Sequence, residues 1–235
     1  MKLFDVFAGC GGTARGAKAP VPGAELAEDM TAVGIEQALV RITPGELDAS
    51  LSFSLSRLYE LCANHNRFVP CPVVLPAICD DVPSENEQIE HAIQRGAAAV
   101  AVRPKDHYWR LDHRLPVLTC ADQVDHGDLA LLAEHYPKLP LLMVGQGYRH
   151  QRILLQLLRN FSNLYASLGG NFTPHRGLEQ LVAKVGPERV LFGTGWPDAH
   201  PMPAVTYMMY ADISDEAKTL IGAENFRRLR EAIVR

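Results

Sequence analysis

Short apolar runs alternate with stretches of helical spacing along the whole chain. The apolar runs fall at 2–9 (KLFDVFAG), 35–42 (IEQALVRI), 68–75 (FVPCPVVL), 97–103 (AAAVAVR), 115–120 (LPVLTC), 140–145 (PLLMVG), 162–168 (SNLYASL) and 188–194 (ERVLFGT). They lack strict polar alternation, which is the mark of parallel strands buried on both faces. Between them, apolar residues recur every three or four positions, as on one face of a helix. Leu26, Met30 and Val33 form one such stripe, and Leu51, Leu55, Leu58, Tyr59 and Cys62 a second. Ile89 and Ile93 form a third, opened by Ser84 and Glu87 at capping-box spacing. Leu129, Leu132 and Tyr136 mark a fourth, and Ile153, Leu157, Leu158 and Phe161 a fifth. Leu178, Leu181, Val182 and Val185 mark a sixth, introduced by Pro174. The connection at 104–114 is weakly periodic and predicts a turn or a stub of helix. The C-terminal stretch predicts two helices, one around 201–211 and one ending in Phe226, Leu229 and Ile233.

Eight strand-then-helix units predict an α/β fold, a single (β/α)8 TIM barrel spanning 1–235. The alternative is an open doubly wound sheet. It is disfavoured because GCGGTARG, after the first strand, has neither the GxGxxG spacing nor the GK[ST] ending of a phosphate loop. In a barrel the site lies at the C-terminal strand ends. The mouth is therefore predicted from Phe7–Cys10, Arg41–Thr43, Pro76–Cys79, Arg103, Cys120, Gly145–Tyr148, Leu168–Asn171 and Thr194–Asp198.

Composition narrows the function without naming it. The chain has 235 residues, 47% hydrophobic and 21% charged, enough to build a large core. Its net charge of −4 and the lack of a basic stripe argue against a nucleic-acid partner. No apolar run approaches the ~18–20 residues of a membrane span, so no membrane partner is expected. The N-terminal apolar stretch is too short for a signal peptide. Five scattered cysteines (Cys10, Cys62, Cys71, Cys79 and Cys120) form no paired framework, which points to a reducing compartment such as the cytoplasm.

Several segments then fall in one order. FDVFAG (4–9), LPVLTC (115–120), YPKLPLLMVGQG (136–147), NLYASLGG (163–170), LFGTGWP (191–197) and IGAENFRRL (221–229) resemble successive segments of the amidohydrolase-related branch of the amidohydrolase superfamily. The resemblance spans nearly the whole chain. It implies a metal-dependent hydrolase barrel, but the ligands it implies do not carry over. The first-strand His pair falls on Phe7 and Gly9, the fifth-strand His on Cys120, the sixth-strand His on Gly145 and the eighth-strand Asp on Gly195. Zinc needs three or four N, S or O donors. One thiol does not supply them, so neither a metal nor another cofactor is expected.

Three readings follow. In the first, the protein is a metal-free relative that binds a small polar or anionic molecule through Phe7, Gly9, Arg103, Gly145, Gln146, Tyr148, Asn171, Gly195 and Trp196. In the second, it is an active hydrolase or lyase whose chemistry has moved to Cys120, Asp198 and His200. In the third, it is a scaffold or a subunit of a homo-oligomer. Each candidate also has a plain structural reading: Cys120 as a small filler, Asp198 and His200 as a helix cap, and Trp196 as packing. By strand parity Asp5 lies inside the barrel below Phe7. A buried carboxylate there needs Arg103, Thr194, backbone amides or a proton.

Overall fold

All eight expected strands form. The computed structural model describes residues 1–10, 23–42, 51–77, 81–104, 116–169 and 172–233. The strands are β1 (Leu3–Cys10), β2 (Ile35–Ile42), β3 (Phe68–Pro70), β4 (Val100–Ala101), β5 (Val117–Cys120), β6 (Leu141–Val144), β7 (Leu164–Ser167) and β8 (Val190–Leu191). They pair in parallel as β1-β2-β3 and β4-β5-β6-β7-β8. Backbone bonds carry the ring across both gaps. Val74 N donates to Ala101 O at 3.1 Å and Ala101 N to Pro72 O at 2.8 Å. On the other side Val6 N donates to Phe192 O at 3.0 Å and Gly195 N to Phe7 O at 2.9 Å. Several regular strands are shorter than the apolar runs that predict them. In β3 the reason is chemical: Pro70, Pro72 and Pro76 have no N–H to give a ladder.

The helices are α1 (Gly23–Val33), α2 (Leu51–Asn64), α3 (Glu85–Gln94), α4 (His126–His135), α5 (Gln151–Asn160), α6 (Gly177–Val185), α7 (Pro201–Tyr210), α8 (Asp215–Thr219) and α9 (Asn225–Glu231). The Ser84–Glu87 capping box starts α3, with Ser84 N donating to Glu87 Oε2 at 2.9 Å. Asp125 caps α4 through Gly127 N at 2.7 Å. The tail is more finely divided than the sequence predicts. After α7, α8 runs through a π-turn at Leu220–Glu224 into α9. Most of the turn expected at 104–114 lies outside the described residues.

The core has the two layers of a barrel. Between strands and helices lie Leu26, Met30, Leu58, Ile89, Leu129, Leu154, Leu158, Leu178 and Leu181, against outward strand residues such as Val40, Val117 and Met143. Inside the ring lie Phe4, Val6, Leu39, Val69, Cys71, Leu118, Leu142, Val144 and Leu191. The C-terminal helix closes the far end. Phe226 stacks on Phe4 at 4.7 Å between centroids, and Asn225 Nδ2 donates to Pro187 O and Val190 O. That end is therefore filled, and the opposite end, at the strand C-termini, is left for function.

Candidate functional site

The first strand does not keep a simple two-residue period. Its register against β2 shifts between Asp5 and Ala8. Phe4 and Val6 lie in the interior, and Phe7, after the shift, packs against the same cluster. Asp5 is thereby turned out of the barrel centre, contrary to its expected parity. It lies in the seam between β1 and the segment after β8. Its Oδ1 accepts from Phe7 N at 2.8 Å and Thr194 N at 3.0 Å, and Thr194 Oγ1 donates to its Oδ2. Thr194 and backbone amides are thus the partners that satisfy it. Burial pushes the Asp5 carboxyl above the usual range, while these bonds and the charge of Arg41 pull it back.

Phe7 closes the centre of the mouth. A Cβ built on Gly145 would lie 3.4 Å from Phe7 Cζ, one on Gly169 2.9 Å from Cδ1, and one on Gly193 2.9 Å from Phe7 Cβ. Two strand ends therefore carry glycine where the ring sits, and Gly193 is kept small first by Ser167 Oγ, the nearest atom to such a Cβ. Two of the five positions at which the resemblance places metal ligands, Phe7 and Gly145, are in this contact. Gly195, at φ +78°, ties its N–H to Phe7 O. Gly9 ties its own to Trp196 O at 2.9 Å. Among these five positions only Cys120 offers a donor. Among the described residues there is no cluster of three or more His, Cys, Asp or Glu able to hold an ion.

Arg41, which sequence reasoning placed at the mouth but left out of the site, sits beside this ring. It is the seventh residue of the run IEQALVRI, a charge at the C-terminal end of a buried strand, and that was the signal available. Its guanidinium lies 4.7 Å from the Phe7 centroid, a cation–π contact. The residue is 8% exposed, and its Nε is buried without a hydrogen-bond partner. Arg41 lines a narrow cleft with Arg103, Cys120, Cys71, Leu55, Leu58 and neighbours, with about 20 Å³ open to a water-sized molecule.

Cys120 enters this cleft from the end of β5. Burial pushes its thiol upward, with Arg41 pulling down, Asp122 up, Arg103 down and Asp198 up. Burial also pushes Cys71 to about 12. At both positions burial thus favours the neutral thiol. His200 is taken up by structure: its Nδ1 accepts from Met202 N at 3.2 Å and caps α7. Asp198 and His200 are both exposed.

The other candidates are scattered. Gln146 is fully buried, and neither of its amide atoms has a partner. Thr119 Oγ1 and Ser167 Oγ are likewise buried and unpartnered. Tyr148 is 54% exposed on a 3₁₀ turn at Tyr148–His150, with Arg149 over its ring. Trp196 turns away from the mouth into the helix layer, where its Nε1 donates to Asp29 Oδ2 of α1 at 2.8 Å. Asn171 and Cys79 lie outside the described residues. One pairing was not foreseen. His126 lies against His150 at 5.1 Å between ring centroids, with its Nε2 buried and unpartnered.

The amidohydrolase family model matches residues 8–229, almost the whole barrel. The chain belongs to the amidohydrolase family. Solved structures repeat the fold at low identity. An uncharacterised TIM-barrel protein of Bordetella bronchiseptica has a TM-score of 0.74 at 18% identity, covering 97% of this chain and 98% of that one. The 5-carboxyvanillate decarboxylase of Sphingomonas paucimobilis has 0.73 at 13%, covering 98% and 99%. A dihydroxybenzoic acid decarboxylase of Polaromonas, with bound manganese and the inhibitor 2-nitroresorcinol, has 0.72 at 13%, covering 98% and 96%. No protein of curated function matches the sequence. As an amidohydrolase-family barrel, the chain puts at the mouth a phenyl ring, glycines, two arginines and a thiol. Among the described residues no helix is long and apolar enough to cross a membrane.

Proposed function

We propose that this protein is a divergent amidohydrolase-family barrel that works without the divalent ion and binds a small carboxylate, or an anion of like shape, between Arg41 and Arg103. The observation that carries the reading is Arg41: a buried guanidinium, stacked on Phe7, with Nε unpartnered at the edge of the cleft. A buried cation with an orphan N–H is costly unless an anion or water completes it. Guanidinium geometry matches a carboxylate through paired N–H donors. The 20 Å³ of open volume is room for about one water-sized group, such as a single ligand oxygen. Two of the structural neighbours are named for aromatic carboxylates, which supports this class of ligand.

Among the described residues nothing offers a metal a fitting donor set. Cys120 is the one donor among the implied ligand positions, and Phe7 occupies the space over Gly145 and Gly169. Such a set falls short of the three or four donors of a zinc-type site. A water without a metal keeps its pKa near ~15.7 and supplies no hydroxide at neutral pH. The reading is therefore one of binding, not of hydrolysis.

The test is isothermal titration of the purified protein with benzoate, beside elemental analysis of the same sample. Binding with substoichiometric metal is expected, weakened about tenfold or more in Arg41→Gln, since losing a charge-assisted pair costs about 1.5–3 kcal/mol. Arg41→Lys keeps the charge and retains part of the affinity. Stoichiometric manganese, iron or zinc, or unchanged affinity in Arg41→Gln, would overturn the proposal.

A further inference from the structure

The cleft beside Arg41 has room for one oxygen of a carboxylate, so the body of such a ligand must lie outside it. The barrel axis is closed to that body, because the Phe7 ring occupies the space over Gly145 and Gly169. The lining of the cleft shows another way out. It runs from Cys71, Leu118 and Cys120 inside the ring to Ser54, Leu55 and Leu58 of α2 outside it. The cleft therefore passes between strand ends into the helix layer. It can do so because the β2–β3 ladder ends at Val40 and Pro70, and Pro72 has no N–H to carry it further.

Beyond Leu55 and Val73 the space widens. Both residues also line a groove of about 1030 Å³ between α2 and α3, floored by Pro72–Leu75. That volume stands at the top of the range of small-molecule sites, ~300–1,000 Å³. Lining residues on α2 run from Leu51 to Ala63, which at 1.5 Å per residue is ~18 Å of helix. The covered part of the groove is apolar, with Leu51, Val74, Leu75 and Val82 buried or half-buried. Its charged members, Glu60, Asp81, Glu87, His91 and Arg95, are all exposed and of both signs. They form a rim around an apolar trough. Such a trough takes a hydrocarbon body and offers no counter-charge to a second ionic group.

We propose that the ligand of this barrel is a fatty-acid-like monocarboxylate whose head meets Arg41 and whose chain leaves sideways, past Leu55 and Val73, into the groove between α2 and α3. This inference rests on the reading of Arg41 given above and extends it from the head of the ligand to its body. Leu55 and Val73 are the partition between the two spaces, and both are half-buried. Val73 is β-branched and its backbone is bridged to Ala101, so it is the fixed side. Leu55 is the movable one, and a change of its rotamer joins cleft to groove without moving the backbone.

The test is isothermal titration of the full chain with butanoate, hexanoate and octanoate. Affinity should rise about fourfold with each added methylene, roughly two hundredfold from butanoate to octanoate. Ser56 is exposed on the groove wall and lies outside the cleft, so Ser56→Trp puts an indole into the trough and should flatten the series. Val82→Asp sets a charge against the chain and should flatten it as well, which keeps the test open if the indole prevents folding. Arg41→Gln should weaken all three acids together. A flat wild-type series, with butanoate binding still dependent on Arg41, would overturn the sideways route and leave the carboxylate head where it is. A steep series unchanged in both groove variants, or unaffected by Arg41→Gln, would put the chain elsewhere and overturn the route as well. No binding of any of the three acids to the wild type would sink the route and the reading of Arg41 together.

Discussion

At the scale of single residues, the mouth is organised around Phe7. Its ring is accommodated because strands β6 and β7 each end at a glycine, Gly145 and Gly169, and the alternative occupant of that volume is a Cβ. Gly169 is the clearest case: a Cβ would stand 2.9 Å from Phe7 Cδ1. Gly169→Ala should therefore destabilise the protein by about 1–3 kcal/mol, the usual cost of overpacking. The penalty should vanish when Phe7→Ala is added, because the second change removes the atom that clashes. Urea unfolding of the two single variants and the double variant gives the coupling. Equal penalties with and without Phe7 would mean that the ring is not what keeps position 169 small. The sequence made Phe7 legible as a mouth residue, since a phenylalanine stands where the resemblance implies an imidazole. It did not make Asp5 legible. A bulge breaks the two-residue period on which parity rests, and no local residue type announces it.

At the scale of elements, strand order and helix faces were readable because each unit carries its own period. What was not readable were contacts between a side chain and the backbone of another element. Asn163 is an example: it falls in an ordinary turn before β7, and composition assigns it nothing. Its Nδ2 reaches Ala133 O at 3.1 Å, Tyr136 O at 2.9 Å and Leu139 O at 3.1 Å. Two of these carbonyls belong to the C-terminal turn of α4 and the residue that follows it, where helices leave acceptors unsatisfied. Asn163 thus joins the end of α4 to the start of β6. Asn163→Leu should cost about 2–4 kcal/mol, since an apolar side chain leaves buried carbonyls without donors. Chemical denaturation would show this as a fall in midpoint with unchanged slope. Asn163→Asp should not rescue it, because a carboxylate brings no donor. Arg41 shows the same limit from the side of function. Its place at a strand end could be read, but its stacking on Phe7 and its orphan Nε depend on residues far away in the chain.

At the scale of the whole molecule, the barrel is closed by joining the first strand to the last. Asp5 and Thr194 lie 189 positions apart, and Thr194 in turn accepts from Trp196 N at 3.1 Å. The carboxylate is bound from three sides, yet it is 1% exposed, and burial outweighs the bonds in lifting its proton affinity. The sign of the pH effect follows. A group whose folded pKa lies above its unfolded value holds more protons in the native state. Its favourable contribution is complete below the unfolded value, 3.8, and is lost as pH rises through the higher folded value. Closure of the ring is thus weakened by ionisation of Asp5, not strengthened by it. Asp5→Asn is the informative change. Asparagine keeps an oxygen for the Phe7 and Thr194 amides and turns an NH2 toward Thr194 Oγ1, with no charge to desolvate. The melting temperature of Asp5→Asn minus that of the wild type should grow as pH is raised from 4 toward neutrality, then level off. A difference that shrinks over that interval would mean that the three hydrogen bonds prevail over burial, and that the seam is held by a carboxylate rather than in spite of one.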